Sequence, residues 1–502
     1  MPTAYEKLAA YARQTALLGS AGALLDWDQQ TYMPSAAGSG RADQRAVLAA
    51  MVHERATSER MKDLILAAAA ETASAPDSAL AASVREFQRD FDMAAKLPGD
   101  LVSEIARVTS QAQEAWKDAR ERNDFAGFAL MLERVIGLCR SKAECYGTPP
   151  GGEPYDALLN EYEPLATAAE IEQVFTPLQA RLAGLLAELS KGKPPETSAI
   201  EMTIEPSKQH AFGIFVLDSI GFDLKRGRLD TTAHPFCQDI GPGDVRLTTR
   251  YRPDHFTDAL YGTMHEAGHG LYEQGLDRDA HFGEPLAQSI SLGIHESQSR
   301  LWENWVGRSI EFWAWALPHA GKMLTSELAR CSPDEMYRAV NTAKPTLIRV
   351  EADEATYNMH IMIRFDLERA LFKREIEAND IPGLWNEKYK TLLGLKVPDN
   401  SRGCLQDVHW PAGLLGYFPT YTLGNLYMAQ FMEQAEKDMP KLREDIRNGD
   451  FAPLLRWLRK NIHQHGRRYS AAEICQRVTG KPVDADPLLR YLEGKLRPVY
   501  GV

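Results

Sequence analysis

From residue 4 to about 190 the apolar positions recur at helical spacing in runs rich in Ala, Leu, Glu and Arg. That pattern predicts successive amphipathic helices, broken near Met33-Pro34 and from Thr148 to Pro154, with no strand-like alternation between them. At Lys191 to Glu196, KGKPPE, two prolines end the helix between polar flanks. This is the best boundary between an N-terminal helical lobe, 1–195, and a second lobe, 196–502, packed together as one domain. Between Met202 and Tyr251 the period changes: Val245, Leu247 and Thr249 alternate with Arg246, Thr248 and Arg250, the clearest strand signal in the chain. Helical spacing returns from Asp254 to about Thr342, over Thr346 to Phe372, and from Leu426 onward, leaving Asp399 to Gly424 as a Gly/Pro/aromatic loop. The expected fold is mainly α with a small β-sheet.

Composition is that of an ordinary soluble globule, and a net charge of −12 argues against nucleic acid or an anionic membrane as partner. Cys139, Cys145, Cys237, Cys331, Cys404 and Cys475 are scattered without CxxC pairing, which fits reduced thiols in a cytoplasmic protein. The N-terminus has no basic head leading into an apolar run, and the longest apolar stretch, Ala16 to Leu25, is too short to span a membrane. Leu24 to Pro34 places Trp27 between two acids, a position that suits packing.

The chemistry concentrates in Asp254 to Gly275, DHFTDALYGTMHEAGHGLYEQG. Pro253-Asp254 reads as a helix start and Gly275 as its stop, and Phe256, Leu260, Met264, Ala267 and Leu271 form an apolar stripe. His265 and His269, one turn apart, can hand two imidazole nitrogens to one metal ion, with Glu266 beside them to act on a water. A catalytic zinc needs a third protein ligand. Glu296, in the helical stretch Pro285 to Ser309 and 27 residues after His269, is the candidate, on a helix that runs back antiparallel. Glu284 is weaker because Pro285 sets it in the turn, and His295 could ligate instead of Glu296, since only one of two adjacent helical residues can face the ion. The strand before the motif helix could offer an unpaired edge to an extended peptide or serve packing alone.

Farther along, Arg349 and Asp353 stand four apart on one helical face. Arg349 suits a carboxylate-bearing substrate, and Asp353 could accept the N–H of a ligating imidazole; an ordinary ion pair is the competing view of both. His409, Tyr417 and Tyr421 could donate to a developing oxyanion, while His463 and His465 read as surface residues.

Six stretches in order carry a resemblance: His234-Pro235-Phe236, Asp244-Val245-Arg246-Leu247-Thr248, HEAGH at 265–269, His295-Glu296-Ser297-Gln298, Ile348-Arg349-Val350-Glu351-Ala352-Asp353 and Gly403-Cys404-Leu405-Gln406-Asp407-Val408-His409-Trp410. Together they resemble the signatures of the carboxypeptidase Taq family of zinc metallocarboxypeptidases over essentially the whole chain. The resemblance implies a two-lobed, zincin-type helical fold with a deep central groove, usually dimeric. It implies removal of C-terminal residues one at a time from peptides with a free C-terminus, with broad specificity and poor action at proline. It makes His265, His269 and Glu296 the ligands of Zn²⁺, for which Co²⁺ can substitute, and Glu266 the general base. Arg349 becomes the carboxylate anchor, with His234, Arg246, His409, Tyr417 and Tyr421 as further substrate-binding candidates. A zinc endo-oligopeptidase would share the metal helix without needing an anchor, and a non-catalytic helical scaffold would need neither.

Overall fold

Thr3 opens the first helix, Ala4–Thr31, with a capping box: its hydroxyl accepts from the Glu6 amide while the Glu6 carboxylate accepts from its own. The computed structural model describes residues 1–502. Helices Gly38–Ala56, Glu59–Thr72, Ala79–Ala95, Gly99–Arg122, Phe125–Tyr146, Pro154–Tyr162 and Ala168–Leu189 follow, and the chain breaks at Met33-Pro34 and at 147–153, where Pro and Gly interrupt the period. A small apolar cluster, Tyr5 to Phe87, lies under the first of these helices. One continuous core then runs from Val108 to Tyr500, past Lys191–Glu196, so that Leu182 and Leu185 share it with Leu488 and Leu492 of the last helix. All six cysteines are unpaired, and no helix is long and apolar enough to cross a membrane.

The fold is mainly α, and its one sheet has three strands: β1 (Gly227–Thr231), β2 (Cys237–Gly241) and β3 (Asp244–Thr249). β3 lies in the middle, parallel to β1 and antiparallel to β2, with Leu229 opposite Leu247 and Asp239 opposite Val245. The strand that the alternation reveals therefore has both edges paired, which removes it as an open edge for a peptide. Its buried Val245 and Leu247 pack the sheet against the motif helix, Phe256–Glu273. On the other side the candidate ligand helix, Leu292–Arg300, lies along helix Pro419–Asp438. At Gly424 an added Cβ would stand 2.6 Å from the Cβ of Glu296, so glycine is what lets the two helices close there.

One surface expectation fails. His463 is fully buried, its Nε2 in hydrogen-bonding contact with Gln298 Oε1 at 2.8 Å, because the turn His463–Arg468 folds back under the motif helix instead of following the amphipathic period.

Candidate metal centre

His265 and His269 project from the motif helix with ring centroids 4.9 Å apart. The ligand helix starts at Ser291, whose hydroxyl accepts from the Ile294 amide. It meets the motif helix at Gly268, where an added Cβ would stand 2.3 Å from the Gln298 carbonyl oxygen. Any larger residue at position 268 would push the helices apart, and Glu296 with them. The close approach brings Glu296 Oε2 to 3.6 Å from His265 Nε2 and 3.5 Å from His269 Nε2. Three donor atoms of these residues lie within 4.8 Å of one another. A tetrahedral ion with ligand bonds of about 2.0–2.1 Å has donor-to-donor edges of about 3.3–3.4 Å, so the donor set fits a zinc-sized cation with little adjustment.

The outward nitrogens are also held. After Arg300 the helix widens into a π-turn, Leu301–Val306, and this sets Glu303 Oε2 at 2.9 Å from His265 Nδ1. Arg300 donates to Glu296 at 2.7 Å and to Glu303 at 3.1 Å, and Arg308 pairs with Glu303 at 3.6 Å. His269 Nδ1 meets His295 Nδ1 at 2.6 Å, and His295 Nε2 meets Glu273 Oε1 at 2.7 Å. With both nitrogens of His295 engaged, it is Glu296 that faces the pair. The carboxylate on an imidazole N–H is Glu303, not Asp353. Asp353 stands in a loop after the turn Arg349–Glu351, off any helix shared with Arg349, and accepts from the amides of Lys344, Ala355 and Thr356 and from the Thr356 hydroxyl, fixing the turn that leads into the next helix.

The two imidazoles respond oppositely to the pocket, and burial lowers His269 to about 4. Burial disfavours a charged His265, yet Glu296 and Glu303 outweigh it and lift the ring to about 9. Burial likewise opposes ionisation of Glu296, but Arg300 and the imidazoles hold its carboxyl well below the usual range. Glu266, 6 % exposed, receives no hydrogen bond; burial, aided by Glu296 and Glu303, pushes it up to about 7.

Beside this centre lies a basic cluster. Arg349 donates to Asp407 Oδ1 through Nε at 2.9 Å and to the Tyr357 hydroxyl through Nη1 at 2.9 Å, while the fully buried Arg364 takes Asp407 Oδ2 at 2.7 Å. Despite burial, the two guanidiniums hold Asp407 far below the usual carboxylate range. Burial, with Arg349 adding to it, lowers His409 to about 3, so its ring is neutral; its Nε2 contacts the Tyr421 hydroxyl at 3.1 Å. Tyr421 also lies under Arg349, 5.1 Å from ring centre to guanidinium, and against Tyr417 at 5.3 Å. Tyr357 joins the two regions, because the Arg300 guanidinium that holds Glu296 stacks 4.5 Å over its ring. Arg246 is spent elsewhere: it pairs with Asp244 at 2.7 Å and stacks 4.3 Å over the buried Trp27, tying β3 to the first helix. His234 lies in the exposed bend between β1 and β2.

Glu303, Glu273, Tyr357, Asp407 and Arg364 were not predicted as site residues. Glu303 had a signal, since it falls seven positions after Glu296, two turns along one face.

A family model described as carboxypeptidase Taq (M32) metallopeptidase matches residues 7–496. Thermostable carboxypeptidase 1 of Thermus thermophilus is 45 % identical over 99 % of both chains, and its namesake from Pyrococcus furiosus is 37 % identical over 97 % of both. The crystal structure of the M32 carboxypeptidase from Deinococcus radiodurans R1 superposes with a TM-score of 0.95 at 40 % identity, covering 100 % of both chains.

Proposed function

The chain belongs to the carboxypeptidase Taq (M32) metallopeptidase family and is a metallocarboxypeptidase; from that premise we propose that it releases C-terminal residues one at a time from peptides, with broad side-chain preference and poor action at proline. The observation that carries the assignment of roles is the convergence of His265 Nε2, His269 Nε2 and Glu296 Oε2. These three are the ligands we assign to a Zn²⁺ ion, with Co²⁺ able to take its place. When bound, the ion supplies Lewis acidity, lowering the pKa of a coordinated water toward about 7 and polarising the scissile carbonyl.

Glu266 is the general base. Its carboxylate is the one in the pocket that pairs with no arginine and receives no hydrogen bond, so it is free to take a proton from the attacking water and return it to the leaving amine. Arg349 anchors the substrate's terminal carboxylate. Asp407 and Tyr357 fix the guanidinium while N–H donors on Nη1 and Nη2 remain for two substrate oxygens. His409, Tyr417 and Tyr421 line the same region as candidate donors to the oxyanion, with the Tyr421 hydroxyl already turned to His409. The family resemblance further supports a homodimer working in the cytoplasm.

Timed mass spectrometry of a defined peptide digest tests the reading. The expected product is a ladder shortened from the C-terminal end that stalls at proline. Internal fragments accumulating from the earliest times would replace it with an endo-oligopeptidase.

A further inference from the structure

His265 and His269 each carry a partner on the nitrogen turned away from Glu296, and the partners differ in kind. His265 Nδ1 meets a carboxylate directly, Glu303. His269 Nδ1 meets a second imidazole, His295, at 2.6 Å. Two ring nitrogens that close can share a hydrogen bond only if one carries the proton and the other a lone pair. With His269 Nε2 offered as a lone pair toward the ion, its proton sits on Nδ1, so His295 Nδ1 accepts. The proton of His295 is then on Nε2, where it meets Glu273 Oε1 at 2.7 Å. Glu273 pairs with Arg278, which reaches on to Asp239 of β2. The Tyr272 ring, 5.2 Å away, closes one side of His295.

We propose that His295 is a positioning residue for His269: an imidazole that relays the hold of Glu273 and so fixes both the Nδ1–H tautomer of His269 and the aim of its Nε2. Glu273 and Arg278 anchor this line to the sheet. A ligating imidazole is ordinarily oriented by a carboxylate or carbonyl, and losing such a partner costs about 10- to 100-fold in metal affinity. Here one carboxylate acts directly on His265, and another acts on His269 through a relay. The inference rests on the assignment of His269 as a ligand.

The test reads the metal, not the turnover. The protein is loaded with Co²⁺, and both its visible absorption band and the rate of Co²⁺ release to excess EDTA are recorded. His295→Leu is expected to shift the band and speed release about 10- to 100-fold. His295→Asn, whose amide oxygen can stand where Nδ1 stands, should recover most of that loss, and Glu273→Gln should speed release several-fold. Release from His295→Leu at the wild-type rate with an unchanged band would overturn the proposal. So would equal loss in the Leu and Asn variants, which marks a packing role. Should His295→Leu fail to fold, Glu273→Leu, which leaves the His295 Nε2–H without its acceptor, decides, and a wild-type release rate there overturns the relay. His269→Ala separates the two failures: full Co²⁺ retention in that variant would remove the ligand assignment itself.

Discussion

Around His265 and His269, Glu273 pairs with Arg278, Glu296 with Arg300 and Glu303 with Arg308, while Glu266 has no cation of its own. Around Arg349 the balance is reversed, because a single carboxylate, Asp407, is shared by two guanidiniums. The metal centre thus carries more carboxylates than guanidiniums and the basic cluster more guanidiniums than carboxylates, and in a buried setting an unmatched charge is costly unless something external meets it. The metal centre keeps a carboxylate, which is what proton transfer needs. The basic cluster keeps a guanidinium, which is what a substrate carboxylate needs. Tyr357, bonded to Arg349 and stacked under Arg300, fixes the spacing between the two.

The strongest way to break this comparison is to neutralise the surplus carboxylate. Glu266→Gln should lower kcat about 10³-fold or more while Zn²⁺ content stays at the wild-type level, since general acid–base catalysis contributes up to about 10⁴-fold and the ligands are untouched. Removing the surplus guanidinium comes next. Arg349→Ala should cost about 10²-fold in kcat/KM on peptides with a free C-terminus, the range of a lost charge-assisted pair, and much less on amidated peptides. Equal losses on both would take Arg349 out of the anchoring role. Gly268→Ala should weaken metal binding about tenfold in a chelator competition, because the new methyl meets the Gln298 carbonyl and shifts Glu296.

The smallest effect leaves activity alone and concerns what lies beneath each region. Glu163 accepts from the Gly293 amide under the ligand helix, and Glu368 accepts from Trp410 Nε1 and the Gly416 amide behind the basic cluster. Burial pushes both carboxyls from 4.5 up to about 7. The folded state therefore binds the proton more tightly than the unfolded one, so their contribution is greatest below pH 4.5 and falls as pH rises toward 7. Glu163→Gln should flatten the decline in unfolding free energy over that interval by about 1–3 kcal/mol, measured by denaturant titration at several pH values. An unchanged slope would mean that Glu163 is ionised in the native protein near pH 5.

Much of this was legible in the sequence, for local reasons. The HEAGH helix, the helix bearing Glu296 and the β3 alternation all show as periods of residues near one another in the chain. What was illegible depends on contacts across the chain. Asp353 looked like an imidazole partner because helical spacing was extended through Arg349–Glu351, where the chain makes only a short turn. The spacing of Glu303 from Glu296 hinted at a shared face, but that it meets His265 depends on the π-turn at Leu301–Val306, which changes the angle per residue. Asp407 was visible in GCLQDVHW, but nothing local says that Arg349 and Arg364 would converge on it. His463 looked like a surface residue because burial under the motif helix is set by a fold-back of the chain.

The most direct test of the central claim is anomalous diffraction at the zinc absorption edge from crystals of the Zn²⁺-loaded protein. The account predicts one strong peak about 2 Å from each of His265 Nε2, His269 Nε2 and a Glu296 carboxylate oxygen, with Glu266 facing the open side. A peak bound elsewhere, or one that His295 or Glu303 ligates in place of Glu296, would contradict it.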